Sequence, residues 1–255
     1  MMQTLFSLAG KVALITGSTK GIGLSIAEHY AQAGARVVIS SRKAEVCEQV
    51  AESLIARGYE AIAIPCHIGD KKQLEALVER TLSTWGQIDI LVCNAATNPV
   101  YGPLSELSDD AWDKIMDTNV KSTFWLCNMV LPQMAAIGGG SVILLSSIAA
   151  IKGNDKIGCY GMSKAAEAAL TRNLAVEWGP KNVRVNAIAP GIVVTDFARA
   201  LVEDPKRKAM VENQTPLRRL GQPQDIAGIA QFLACDASAY MTGQLLVADG
   251  GTTIS

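Results

Sequence analysis

Charge is scarce in this sequence, and aromatic surface scarcer. Of 255 residues, 18% are charged and 5% aromatic, with a formal net charge of -1 at pH 7. So balanced a chain offers nucleic acid or an anionic membrane no electrostatic hold. No stretch approaches the ~18 consecutive apolar residues of a membrane span. Met1 to Gly10 carries neither the basic start nor the apolar run of a secretory signal. The expectation is a cytoplasmic protein with no membrane partner. Histidine is limited to His29 and His67, and the six cysteines (Cys47, Cys66, Cys93, Cys127, Cys159, Cys235) form no C-x-x-C pair. That spacing argues against a structural zinc and for reduced, buried thiols. There is also no Pro/Gly/Ser-rich linker, low-complexity tract or fixed-period repeat. One domain spanning 1–255 is the simplest reading.

Apolar residues are plentiful, at 49%. They fall into short β-branched runs separated by helical patterns. Strands are expected over Lys11 to Thr16, Arg36 to Ser40, Ala61 to Pro65, Ile88 to Cys93, Ser141 to Ser146, Val183 to Ala187 and Gln244 to Ala248. Strands as apolar as Val142-Ile143-Leu144-Leu145 require cover on both faces. The fold class is therefore α/β: a doubly wound, Rossmann-like parallel sheet of about seven strands with helices on both sides. In such a sheet, ligands sit beyond the carboxyl ends of the strands.

The first strand runs into Gly17-Ser18-Thr19-Lys20-Gly21-Ile22-Gly23, and Leu24 to Ala33 continue as helix. Glycines here let the backbone turn sharply and approach a pyrophosphate, which the N–H groups and dipole of the helix start would hold. After strand two, where an NAD site places an acid, stand Ser41, Arg42 and Lys43. Arg42 lies nineteen residues beyond Gly23, where its guanidinium can clasp a 2′-phosphate; Ser41 can donate a hydrogen bond, and Lys20 adds a positive charge. NADP(H) is the expected cofactor. The alternative is that Arg42 and Lys43 cap a helix in solvent.

Tyr160 and Lys164 are four residues apart at the start of an apolar helix reaching about Trp178, so they share a face. A nearby ammonium lowers the pKa of a phenol, which suits Tyr160 to proton exchange. Ser147, thirteen residues earlier and just past a strand, is placed to hydrogen-bond a substrate oxygen.

The order of glycine turn, Asn94, Asn119, Ser147, Tyr160 and Lys164 resembles the short-chain dehydrogenase/reductase family from Lys11 to Gly251. Several stretches, among them Val38 to Lys43, Cys66 to Gly69 and Val142 to Ala150, most resemble animal NADP-dependent carbonyl/retinol reductases. The resemblance implies that Tyr160 is the general acid/base, Lys164 holds the ribose and lowers the Tyr160 pKa, and Ser147 orients the carbonyl. It also implies that Asn119 supports a water-linked proton relay. Pro190, Gly191, Val193 and Thr195 would hold the nicotinamide carboxamide, and Asn94-Ala95 would shape the cofactor site. His67-Ile68 stands where many members place an Asp against adenine; His67 is read either as an adenine contact or as an ordinary loop histidine. Ala96 replaces a glycine usual in the family. The C-terminal Thr252-Thr253-Ile254-Ser255 lacks the peroxisomal signal of the animal reductases.

The expected activity is NADPH-dependent reduction of a ketone or aldehyde to an alcohol, reversibly, on a small-molecule substrate. Residues 196–216 are expected to form a helical lid with Phe197, Ala198, Leu201 and Met210 on its apolar side, or simply to pack against the body. The alternatives are a 3-oxoacyl thioester reductase and a non-catalytic NADP(H) sensor. The apolar helices around Asp113 to Met134 and Tyr160 to Trp178 are either buried in one subunit or, as the resemblance implies, contacts of a homotetramer.

Overall fold

The computed structural model describes residues 5–198 and 204–255. Seven parallel strands form one sheet: β1 (Val12–Thr16), β2 (Arg36–Ser40), β3 (Ala61–Ala63), β4 (Ile90–Cys93), β5 (Gly140–Leu145), β6 (Val183–Pro190) and β7 (Leu245–Ala248). Their order across the sheet is β3-β2-β1-β4-β5-β6-β7. The chain first builds outward from β1, then returns to lay β4 on its other side. That reversal opens a crevice at the carboxyl ends of β1 and β4, the place where sheets of this kind take ligands.

The α-helices of the described residues are α1 (Gly21–Gln32), α2 (Ala44–Ala56), α3 (Lys71–Trp85), α4 (Asp109–Met116), α5 (Ser122–Ala136), α6 (Gly158–Trp178), α7 (Pro205–Gln214) and α8 (Pro223–Ala234). Strand alternation explains why both faces are covered. Ile143 and Leu145 of β5 join the core under α1 and α8, whereas Val142 and Leu144 join the core under α3, α5 and α6. Each strand therefore feeds two cores, so hydrophobic runs replace a polar–apolar alternation.

Strand limits differ from expectation where backbone donors fail. β3 stops at Ala63, shortly before Pro65, which has no N–H to give. β6 instead runs on to Pro190, because β7 pairs alongside it as far as Pro190 opposite Ala248. All six cysteines are buried.

Tyr30 shows what fastens a covering layer. Fully buried in α1, it donates from its hydroxyl to the Ala230 carbonyl of α8 at 2.9 Å. Tyr30→Phe keeps the ring and removes that bond, and is expected to cost about 0.5–1.5 kcal/mol in urea denaturation. An unchanged midpoint would show that the bond contributes nothing net.

Candidate active site

The sequence-singled residues are gathered at the carboxyl ends of the strands. β1 ends at Thr16, and Gly17 turns the chain with φ 66°. Ser18 is fully buried: its hydroxyl donates to the Ile15 carbonyl at 2.8 Å and accepts from the Ser40 N–H at 2.8 Å, pinning the turn to β2. The Ser18 hydroxyl thus faces inward, leaving the backbone to meet a ligand. Thr19 is half-buried and Lys20 exposed. Lys20 takes the extended conformation before α1 and supplies no side-chain cap, so no side chain spends the opening donors of that helix.

Gly23 has no room to be anything else. A Cβ there would lie 2.4 Å from the Gly17 carbonyl oxygen and 2.5 Å from Asn94 Nδ2. Gly23→Ala is expected to lower stability by about 1–3 kcal/mol. Gly228→Ala in α8, where a Cβ meets nothing within 4 Å, should leave it unchanged or raise it. Equal urea midpoints for the two variants would refute the crowding at Gly23.

Asn94 clamps this turn from β4. Its Nδ2 donates to the Thr16 carbonyl at 2.8 Å and the Gly17 carbonyl at 3.1 Å. Thr16 Oγ1 accepts from the Asn94 and Ala95 N–H groups at 3.0 and 3.1 Å. Thr16 was not among the residues singled out by sequence; its partners lie 78 and 79 residues away.

At the end of β2, Ser41 is held by Cys47: its N–H donates to the Cys47 sulfur at 3.2 Å, and its hydroxyl lies 3.2 Å from the same atom. Arg42 is exposed and makes no ion pair among the described residues. Lys43 precedes α2 without a side-chain cap. The Cys66 N–H donates to the Ser41 carbonyl at 2.9 Å, bringing His67-Ile68 beside this edge. His67 Nδ1 accepts from the Gly69 N–H at 3.1 Å, and Ile68 packs on the core under α3 and α5.

β5 delivers the remaining groups. Ser146 Oγ donates to the Lys164 carbonyl at 2.8 Å, fixing the strand end to α6. Ser147 follows; its hydroxyl accepts from the Ala149 N–H at 3.1 Å and is hydrogen-bonded to the Tyr160 hydroxyl. Lys164 Nζ lies 5.6 Å from the Tyr160 ring centroid. It also donates to the Leu145 carbonyl at 2.7 Å and to Glu167 Oε1 and Oε2 at 3.1 and 2.9 Å. Glu167 was missed at the sequence level, although a carboxylate three residues past a lysine on an apolar helix face was a signal.

Electrostatics at Tyr160 differ from the sequence expectation in one respect. Burial raises its pKa above the ordinary value; Lys164 and the Ser147 hydrogen bond pull it down, and Glu167 pushes it up. Lys164 thus acts in the expected direction, but burial outweighs it among the protein's own groups.

Asn119 sits in a π-helical turn, Asp117–Lys121, between α4 and α5. Its side chain accepts from the Thr97 N–H at 2.8 Å and donates to the Thr97 carbonyl and to Ser163 Oγ, each at 3.0 Å. It ties the loop after β4 to α6, one residue from Lys164.

After β6, Gly191 donates to the Ala248 carbonyl at 2.9 Å, and its missing Cβ would lie 2.8 Å from Asp249 Cα. Val193 bridges to Gly221, and Thr195 stands over the glycine turn, its Cγ2 3.1 Å from where a Gly21 Cβ would be. Lys20 Nζ meets Asp196 Oδ2 at 2.8 Å across the same gap. Residues 196–198 form a 3-10 turn and α7 covers 205–214, with none of its residues fully buried and Met210 exposed. Leu201 lies outside the described residues.

These residues fit a dinucleotide: an uncapped helix start, glycines where a side chain would fill the cradle, a guanidinium with no ion pair among the described residues, and a tyrosine–lysine pair on α6. Fold and site together define a dinucleotide-binding α/β oxidoreductase. A family model described as enoyl-(acyl carrier protein) reductase matches residues 17–253. Dehydrogenase/reductase SDR family member 4 of Oryctolagus cuniculus is 44% identical over 244 residues, covering 96% of this chain and 94% of that protein. A 7α-hydroxysteroid dehydrogenase, solved with NADH and 7-oxo glycochenodeoxycholic acid, superposes with a TM-score of 0.93 at 39% identity, over 97% of this chain and 96% of that one. A gluconate 5-dehydrogenase from Burkholderia cenocepacia, solved with NADP and tartrate, gives a TM-score of 0.96 at 33% identity, covering 100% of both. The chain belongs to the short-chain dehydrogenase/reductase family, and its cofactor is of the NAD(P)(H) class. No helix of the described residues is long and apolar enough to cross a membrane.

Proposed function

We propose that this protein is an NADPH-dependent reductase of ketones or aldehydes, reversible toward the alcohol. The observation that carries this reading is the cluster of buried Tyr160 and Lys164 with half-buried Ser147, at the same end of the sheet as a glycine turn whose cofactor edge ends in Arg42. A bound nicotinamide supplies or takes up the hydride.

The chain's own groups handle everything else. Ser147 and Tyr160, hydrogen-bonded to one another, converge on the carbonyl oxygen, and Tyr160 passes its phenolic proton to that oxygen as negative charge develops there. Lys164 supplies positive charge below the phenol and holds the ribose. Asn119 anchors the relay region, the glycine turn receives the pyrophosphate, and Arg42 with Ser41 receives a 2′-phosphate. Pro190 to Thr195 takes the carboxamide, while His67 and Ile68 border the adenine. Residues 196–216 act as a lid, its first residue latched to the glycine turn by the Lys20–Asp196 pair. A homotetramer in the cytoplasm belongs to the same reading; Phe124 and Val176, exposed on α5 and α6, favour association.

A substrate panel run with NADPH and NADH in parallel tests it. The panel contains medium-sized apolar ketones, diketones, aldehydes and a 3-oxoacyl thioester. NADPH consumption with the simple carbonyls is the expected result. Faster turnover of the thioester would move the substrate class, and binding without consumption would leave a sensor.

A further inference from the structure

An ammonium has three N–H bonds to give, and within the protein Lys164 meets one carbonyl and one carboxylate. The Leu145 carbonyl of β5 lies at 2.7 Å, and the two carboxylate oxygens of Glu167 at 2.9 and 3.1 Å. The side chains of Lys164 and Glu167 are only 2% and 1% exposed. An ammonium buried this deeply without a counter-charge ordinarily sheds its proton. Lys164 and Glu167 are one helical turn apart, so α6 itself brings the counter-charge.

We propose that Glu167 is a positioning residue for the proton-transfer site: its carboxylate holds the Lys164 side chain, and its charge, in place beside Tyr160. It acts through Lys164. This inference rests on the functional reading above, in which Lys164 serves Tyr160 and the cofactor ribose.

The electrostatics support it. Burial would push the Lys164 ammonium down, but Glu167, followed by Tyr160, reverses this and lifts it above the ordinary lysine value. Burial pushes the Glu167 carboxyl up to about 7, against the pull of Lys164. The other groups facing the pair do not substitute for it. Cys93 of β4, hydrogen-bonded to Cys127 of α5, is held well above its usual range by that bond and by burial, and stays a neutral thiol. Tyr160, on the same helix, is likewise held protonated by burial. Above about pH 7, therefore, Glu167 is ionised and its charge helps keep Lys164 protonated; below about 7, Glu167 is itself protonated and neutral, as glutamine would be.

Glu167→Gln preserves shape and removes the charge. NADPH affinity, followed by nucleotide fluorescence, and kcat are measured from pH 6 to 9 for the parent, E167Q and E167D. The expected result is that E167Q tracks the parent below about pH 7. Above it, E167Q loses affinity and rate, by about tenfold for each pH unit beyond the lowered Lys164 value. E167D, with its carboxylate one methylene short, should lose them at an intermediate pH. A merely structural role would lower melting temperature and rate evenly across pH. If E167Q does not fold, E167D carries the test by the position of its alkaline limb. Variants whose affinity and rate follow the parental pH dependence overturn this inference alone. A parent that binds no nicotinamide nucleotide overturns the functional reading, and this one with it.

Discussion

Tyr160→Phe should cut kcat for carbonyl reduction by about two to four orders of magnitude, the usual contribution of a positioned acid. The ring is 8% exposed and packed at the start of α6, so the substitution keeps its shape and removes one oxygen. Nucleotide affinity should change little, because the ribose is assigned to Lys164 and the phosphates to the glycine turn. Loss of rate with retained binding is therefore the expected signature. Turnover within a few-fold of the parent would remove Tyr160 from the mechanism.

The pH dependence of the parent follows from the same side chain. Burial lifts the Tyr160 pKa above its ordinary value, so the phenol keeps its proton through the neutral range. A proton donor is then fully present for reduction, and the reduction rate should stay level through neutrality and fall only at alkaline pH. Alcohol oxidation needs the phenolate and should rise over that same alkaline range, with both limbs missing from Tyr160→Phe. An oxidation rate that is level across the alkaline range would place the acid elsewhere.

What could be read from the sequence was what local pattern encodes. The two-faced burial of β5 follows from Val142 to Leu145 being continuously apolar, and the turn after β1 from Gly17, Gly21 and Gly23 standing between a strand and a helix. Tyr160 and Lys164 share a face by helical periodicity alone. What could not be read depends on contacts between distant parts of the chain. The Lys20 charge was counted toward a phosphate, yet Asp196, 176 residues on, engages it at 2.8 Å. The Asn119 side chain is engaged by Thr97 and Ser163, which the π-helical turn brings into reach. The acidity of Tyr160 was read from a neighbouring charge, whereas burial by the surrounding fold decides its direction.

Cofactor choice turns on the same distinction, and Arg42→Asp tests it. Three cations stand near the proposed 2′-phosphate edge, but they are not equivalent. Lys20 is engaged by Asp196, whereas Arg42 and Lys43 both stand without an ion pair among the described residues, and of the two only Arg42 carries a guanidinium. A planar guanidinium can hold a phosphate through two parallel bonds, which a lysine cannot. Removing such a charge-assisted contact costs about 1.5–3 kcal/mol, and an aspartate adds repulsion of its own. The kcat/KM for NADPH is thus expected to fall by about 30- to 1000-fold at low salt, since each ~1.4 kcal/mol is a factor of ten. For NADH it should rise, because a carboxylate there accepts from the free ribose hydroxyls. The arginine is exposed, so raising ionic strength should shrink the NADPH effect toward the lower figure. A ratio of the two kcat/KM values that moves less than about threefold would mean that Arg42 does not read the 2′-phosphate, and the preference for NADPH would lose its physical basis.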